Sequence, residues 1–397
     1  MAQQRDRRLV HGEVRPRIDL PLYCNPLFLF FLNWVAMLAA LSIHVTYVTY
    51  PGMALPVELF ALSAVSMLCG YLITTMLLRK KAVSQYPMRY VLNTSRLVRV
   101  NLLFCAVAIM IIAFNWAAEG APPALGDPSS YLTYGRFRQL LFPLLTVITV
   151  NGFLDSSRIR RVIFALFGFL CLAIYITRGL MVVTLLEVFF VISLTSTMSK
   201  RKLYGLCTMG AAFTIAFATI LGNIRTAHLV FLEFLQIREK YFGWPMASLW
   251  LTSYISIPLS NLCWILKTVQ YHGPTLAFLY PLLPSFIAPM DPHIAIHNDL
   301  RIIDGASTYL SVYALDFSYL GAYAANILLG AACAWVMNRG LPKYFLVSAL
   351  FLTCISFICF SDMFSPLSTI VQVTLLLIVQ KKCIRWVPGV IQGARPA

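Results

Sequence analysis

Apolar runs of roughly membrane-crossing length recur along the whole chain and constrain its fold more than any other feature. They fall near 26–48, 56–78, 99–117, 138–154, 162–177, 179–198, 203–222, 309–337, 343–361 and 364–380. A hydrocarbon core about 30 Å thick takes roughly 20 apolar residues as helix. In lipid every backbone N–H and C=O must find its partner within the protein. The expectation is an all-α fold, a polytopic transmembrane helical bundle forming one integral membrane domain over residues 1–397. Only 12% of residues are charged and the mean hydropathy is +0.77, whereas a soluble chain carries about a quarter charged residues. The stretch Pro26 to Val48 is too long for a signal-peptide core and lacks a small-residue cleavage pattern, so it reads as a retained helix.

The chain has 31 Lys/Arg against 15 Asp/Glu, a formal charge of +16. These cations sit in short clusters between apolar runs, where they orient helices and meet anionic lipid headgroups; no nucleic-acid partner is expected. The N-terminal arm has Arg5, Arg7, Arg8, Arg15 and Arg17, and residues 79–99 hold Arg79, Lys80, Lys81, Arg89, Arg96 and Arg99. Further clusters are Arg158, Arg160 and Arg161; Lys200, Arg201 and Lys202; Arg339 and Lys343; and Lys381, Lys382, Arg385 and Arg395. Every second connection is basic, which places both termini in the cytoplasm. Eight cations stand on the opposite side: Arg136, Arg138, Arg178, Arg225, Arg238, Lys240, Lys267 and Arg301. Charges kept against the positive-inside bias suggest an anionic ligand on the outer face.

Two outer connections are long. Residues 118–137 are rich in Pro, Gly and Ser, and residues 223–308 form a large, partly helical outer loop with five Lys/Arg and four His. That loop holds an apolar helix at 246–267 and a second apolar stretch, 274–290, broken by Pro274, Pro281, Pro284 and Pro289. Ten spans result if both are interfacial or re-entrant, and twelve if both cross. The short, Pro-rich second stretch favours ten. No internal repeat marks an inverted-repeat transporter. Ten Cys include no C-x-x-C pair and read as small buried hydrophobes.

Several residues could carry chemistry. Arg178 lies in the tight outer turn Tyr175-Ile-Thr-Arg-Gly179, and Arg225 ends another span in Gly222-Asn-Ile-Arg-Thr226. A guanidinium matches phosphate oxygens bidentately, although an Arg at a helix end can also simply snorkel. In 246–267, Trp250, Tyr254, Ile257, Asn261 and Trp264 share one helix face, which could bind a sugar or form an aromatic belt. Ser307 is placed to cap the helix that follows, on which Tyr309, Tyr313 and Asp316 fall on one face. An Asp two turns into a membrane helix is costly; it could orient Arg301 or Arg225, act as a base, or form a structural ion pair. His293 and His297 make only a weak metal pair. Glu187 is a second intramembrane acid. Walker A, dinucleotide-binding, H-E-x-x-H and G-x-S-x-G motifs are absent from the sequence, which argues against an ATP-driven pump or a membrane protease.

The turn Thr177-Arg178-Gly179, the element Gly222-Asn-Ile-Arg225, the helix Tyr254-x-x-x-Pro258-x-x-Asn261 and the stretch Ser307-Thr-Tyr309…Tyr313-x-x-Asp316-Phe-x-x-x-Gly321 together resemble the bacterial oligosaccharide repeat unit polymerases, the Wzy-type O-antigen polymerases. The resemblance covers roughly residues 170–325. It implies a GT-C-like helical fold and a metal-independent glycosyltransferase of the bacterial inner membrane, needing no cofactor. Such an enzyme would join undecaprenyl-pyrophosphate-linked oligosaccharide repeat units on the periplasmic face, with a chain-length regulator protein as a further partner. By the same resemblance Arg178 and Arg225 would contact the donor pyrophosphate, and Tyr254, Asn261, Tyr309 and Asp316 would shape the site. The resemblance supplies no general base. Read from the residues themselves, Asp316 is placed in the catalytic group with Arg178 and Arg225, and Arg301, Tyr313 and His297 join the substrate-binding residues. Preorganised guanidinium groups suit a pyrophosphate leaving group, whose charge grows as the glycosidic bond breaks. An O-antigen ligase shares this architecture and donor. A lipid-linked oligosaccharide flippase is the transporter alternative, which would need charges lining a path at several depths.

Overall fold

The computed structural model describes residues 9–14, 20–78, 88–126, 134–135, 137–196, 198–225, 236–268, 279, 282, 308–359, 363–364 and 366–387; at Arg178 and Arg225 it describes the backbone alone. Among these residues the fold is helical, with one small sheet. The helices are α1 (Pro26–Ile43), α2 (Ala54–Leu78), α3 (Thr94–Glu119), α4 (Arg138–Leu154), α5 (Arg158–Ile174), α6 (Arg178–Thr195), α7 (Lys200–Arg225), α8 (Met246–Thr268), α9 (Ser311–Trp335), α10 (Phe345–Ser356) and α11 (Leu367–Cys383). Each of the ten expected apolar runs falls on one of them, and α8 matches the apolar helix expected within the outer loop. The stretch 274–290 lies outside the described residues apart from Leu279 and Leu282.

Among the described residues, five helices are long and apolar enough to cross a membrane: α1, α2, α3, α8 and α9 with its extension to Gly340. This is the composition of a multi-pass membrane protein. Others are shorter than the runs suggested. The 12 residues of α10 make about 18 Å of helix, well short of a hydrocarbon core.

Local chemistry sets several helix ends. Asn25 accepts from Leu27 N at 3.0 Å with Pro26 in the first helical position, so α1 starts on a side-chain cap. Asn93 does the same for α3 through Arg96 N. Helices α2 and α9 run parallel and cross at very close range. A Cβ added at Gly70 would lie 2.0 Å from Ile327 O, and one at Gly330 would lie 2.0 Å from Met67 O. Only glycine permits backbones to approach so closely. Beside this crossing Asn326 donates to Ser63 Oγ at 3.1 Å and accepts from the Tyr309 hydroxyl.

A three-stranded antiparallel sheet is absent from the sequence-based expectation. It consists of β1 (Leu9–Val14), β2 (Met88–Asn93) and β3 (Ile384–Val387), in the order β1-β2-β3. Leu9 pairs with Asn93, and Val91 with Arg385. Its strands are four to six residues long and lie in segments whose dominant signal is positive charge. The sheet joins residues 9–14, the end of the α2–α3 connection and the segment after α11, so three segments far apart in sequence meet at one end of the bundle. Tyr90 stacks on Phe345 at 5.3 Å, which brings the start of α10 to the same end.

Helix α9 is not continuous. Ser318 has φ 55° and ψ −144°, a break inside what reads as one apolar run. After it, Gly321 comes so close to Tyr313 O that an added Cβ would lie 2.3 Å away. A non-glycine residue held at such a φ costs about 1–3 kcal/mol.

Candidate functional site

The end of the bundle away from the sheet holds the outer candidates. It is built from the α1–α2, α3–α4 and α5–α6 connections, the segment 236–245 and the start of α9. At the α5–α6 turn, Ile176 takes φ 54°, and Thr177 Oγ1 donates back to Leu172 O at 2.9 Å. The Thr177 oxygen accepts from no backbone N–H of α6, so the helix starts without a side-chain cap. Arg178 is the first residue of α6.

The α3–α4 connection is fastened against this turn. Ala124 N bonds Ile174 O at 3.0 Å, and Asn115 Nδ2 donates to Tyr175 Oη at 3.2 Å. Tyr134 packs edge-on to Tyr175 at 5.6 Å and donates to Gly120 O at 2.8 Å. Glu119 accepts from Gly135 N at 2.5 Å, and its charge also faces the Arg138 guanidinium. Burial, with help from Tyr175 and Glu119, pushes the Tyr134 phenol up from its ordinary value. The result is a polar network directly beneath the start of α6. Arg138 belongs to it; Arg136 lies outside the described residues.

Arg225 is the last residue of α7, which packs against α6 after a short connection. The two helices run about 27 Å and 39 Å, so the backbone at Arg225 extends past that at Arg178 on the same end. Arg301 and His297, with His293, lie outside the described residues, as does the cap expected of Ser307.

A second cationic group lies on the α1–α2 connection. His44 ends α1 in the left-handed conformation. Tyr47 N bonds Gln236 O and Arg238 N bonds Val45 O, at 3.0 and 2.9 Å, so segment 236–241 runs beside this connection. Arg238 lies over the Tyr47 ring at 5.2 Å, and Lys240 over Tyr241 at 4.7 Å. Burial and then the charges of Arg238 and Lys240 hold the His44 imidazole below its ordinary value. Nothing in the local sequence pairs residue 44 with residues 238 and 240; they meet through a bridge between Thr46 and Ile237.

The α8 face divides. Trp250 and Tyr254 stack at 5.1 Å and are half-buried. Ile257 and Asn261 are buried, and Trp264 Nε1 reaches Val48 O at 3.4 Å. Ser260 Oγ accepts from Tyr50 N at 2.7 Å, and Leu249 and Ile257 pack with Val45 and Tyr241. Helix α8 therefore lies along the α1–α2 connection for most of its length.

At the start of α9, Tyr309 precedes the helix, so it does not share a helical face with Tyr313 and Asp316 as the spacing suggested. It is buried. Tyr313 is half-buried, and Asp316 is fully buried two residues before the break at Ser318. Glu187 is also fully buried, in mid-α6, with Gln372 Nε2 donating to one carboxyl oxygen. Among the described residues no group of three or more His, Cys, Asp or Glu side chains gathers as a metal cage would. Of the ten Cys, seven are buried, Cys105 and Cys207 are half-buried and Cys69 is exposed.

No protein-family model, no curated protein and no solved structure matches this chain.

Proposed function

We propose that this chain is a GT-C-like, integral-membrane glycosyltransferase of the bacterial inner membrane that polymerises undecaprenyl-pyrophosphate-linked oligosaccharide repeat units, as the Wzy-type polymerases do. The observation that carries this reading is the separation of the two bundle ends. The sheet end gathers basic segments of the kind that face the cytoplasm. The opposite end still holds Arg138, Arg238, Lys240 and Lys267, together with the helix termini at Arg178 and Arg225. Cations retained on an outer face suit a lipid-borne diphosphate.

In this reading the diphosphate sits at the start of α6, where uncapped N–H groups and the helix dipole favour an anion. Arg178 and Arg225 stabilise the charge that develops on the leaving group. Asp316 stands near the break of α9; broken helices in bundles expose backbone groups to substrates.

The flippase alternative draws on Glu187, an acid buried at mid-bundle far from the outer cluster, as intramembrane acids in carriers are. Deletion of the gene followed by gel analysis of lipopolysaccharide separates the readings. Core lipid A with a single repeat unit is expected. Complete loss of attached repeats with accumulated lipid-linked polymer would mean ligase, and single units retained in the cytoplasmic leaflet would mean flippase. Arg178→Ala and Arg225→Ala should reproduce the deletion while inserting normally; long polysaccharide from both would overturn the assignment.

A further inference from the structure

Helices α2 and α9 each hold one ionisable acid, Glu58 and Asp316. The parallel crossing at Gly70 and Gly330, with Ser63 beside Asn326, brings Glu58 level with residues 319–323, just past the break at Ser318. There the Glu58 carboxylate faces both the Tyr319 and Tyr323 phenols, whose rings stand 6.2 Å apart. Tyr50 also faces Tyr319. Tyr50 meets Trp264 edge-on at 5.3 Å, and the Lys267 ammonium lies over its ring at 5.6 Å. Glu58 and Lys267 are exposed, while Tyr319, Tyr323 and Trp264 are half-buried. One continuous patch thus combines aromatic faces, an accessible carboxylate and an ammonium. It is built from the α1–α2 connection, α2, α8 and α9, of which only the first two adjoin in the sequence.

Aromatic rings cover the C–H faces of a sugar, and a carboxylate accepts from its hydroxyls. An aromatic belt alone would not need the only acid of α2 directed at two phenols. We infer that this patch holds the sugar acceptor and that Glu58 takes the proton from its attacking hydroxyl; the inference rests on the polymerase reading above. In the step, the acceptor oxygen bonds the donor's anomeric carbon as the bond from that carbon to the pyrophosphate oxygen breaks. The electron pair leaves with the diphosphate, and the hydroxyl proton goes to Glu58. Tyr319 and Tyr323 orient the carboxylate, and the Lys267 ammonium over the Tyr50 ring adds a cationic edge to the patch.

The test uses membranes from the gene-deleted source strain, containing its own accumulated lipid-linked repeat units, with full-length variants of equal abundance. Wild type should form polymer. Glu58→Gln should lower the rate about a hundredfold or more and abolish the fall in rate on the acid side of the pH profile. Glu58→Asp should restore part of the rate, and Tyr319→Phe should shift the acid-side midpoint. If wild type polymerises while Glu58→Gln keeps its rate and pH profile, Glu58 is not the base and the polymerase reading stands. If wild type forms no polymer, the reading and this inference fall together. If Glu58→Gln is slow but keeps the wild-type pH profile, the proton-accepting role is overturned.

Discussion

Gln372 on α11 donates to Glu187 on α6, joining two helices through a fully buried amide–carboxyl bond. Among the described residues the other Glu187 oxygen has no hydrogen-bond partner. One turn away, Thr184 and Thr146 join α6 to α4 at 3.0 Å, so α6 is fixed on two sides below Arg178. Gln372→Leu would leave both carboxyl oxygens unsatisfied and should destabilise by about 1–3 kcal/mol. Glu187→Gln removes a titratable group from the interior, keeps an amide contact and should be neutral or stabilising. Thermal unfolding in detergent checks the pair; equal losses from the two variants would contradict this account.

The α2–α9 crossing allows no Cβ. Gly70→Ala and Gly330→Ala each force a methyl group onto a backbone carbonyl. Each should cost about 1–3 kcal/mol, as overpacking does. The control is Gly210→Ala on α7, where an added Cβ meets nothing within 4 Å. It should be neutral or mildly stabilising by propensity. Detergent unfolding midpoints of the three variants give the comparison.

The sheet makes a topological prediction. Val91 and Arg385 are directly opposed in an antiparallel pair, and opposed Cα atoms in such pairs lie about 4.5–5.5 Å apart, within disulfide reach. With the native cysteines replaced, Val91→Cys with Arg385→Cys should cross-link on oxidation. The shifted pair Val91→Cys with Trp386→Cys should do so far less, because adjacent strand residues point to opposite faces. Efficient cross-linking of the shifted pair alone would refute the register.

His44 supplies the pH dependence. Burial, Arg238 and Lys240 depress its pKa in the folded state, so the unfolded chain binds the proton more tightly. Stability from this group is complete above the unfolded value, near 6.5, and is lost as pH falls through the window below it. Unfolding midpoints should decline from pH 7 to pH 5, and His44→Gln should flatten that decline. A midpoint rising with acid in wild type would reverse the sign and contradict the placement of Arg238 and Lys240.

The helices were legible because apolar runs dominate this chain, and the alternation of basic connections anticipated which segments share an end. Strands β1 and β3 were not legible, since each is short, lies far from β2 in sequence and sits among arginines. The site was legible only in part. Arg178 stood out as a cation in an apolar turn, but the Glu119 side chain that holds Gly135 below it is an ordinary helix-terminal acid until α3 and α4 pack. Glu58 likewise carries no signal until α2 lies beside α9. The α8 face was periodic, yet periodicity does not tell a ligand face from one packed on a connection, and Asn261 is buried.

The break in α9 was invisible because Leu315-Asp-Phe-Ser-Tyr-Leu320 has no glycine or proline at the turning residue. Ser318 therefore holds a backbone conformation that glycine adopts without strain. Ser318→Gly should stabilise by about 1 kcal/mol, and Ser318→Val should destabilise by at least as much. If the break also serves catalysis by placing Asp316 and Tyr319 on either side of it, the two changes should part company in function. Ser318→Gly would raise the unfolding midpoint while leaving the polymerisation rate within about twofold, whereas Ser318→Val would lower both. Were Ser318→Val more stable than wild type, α9 would be continuous through this residue, and Glu58 would lose its level with Tyr319 and Tyr323.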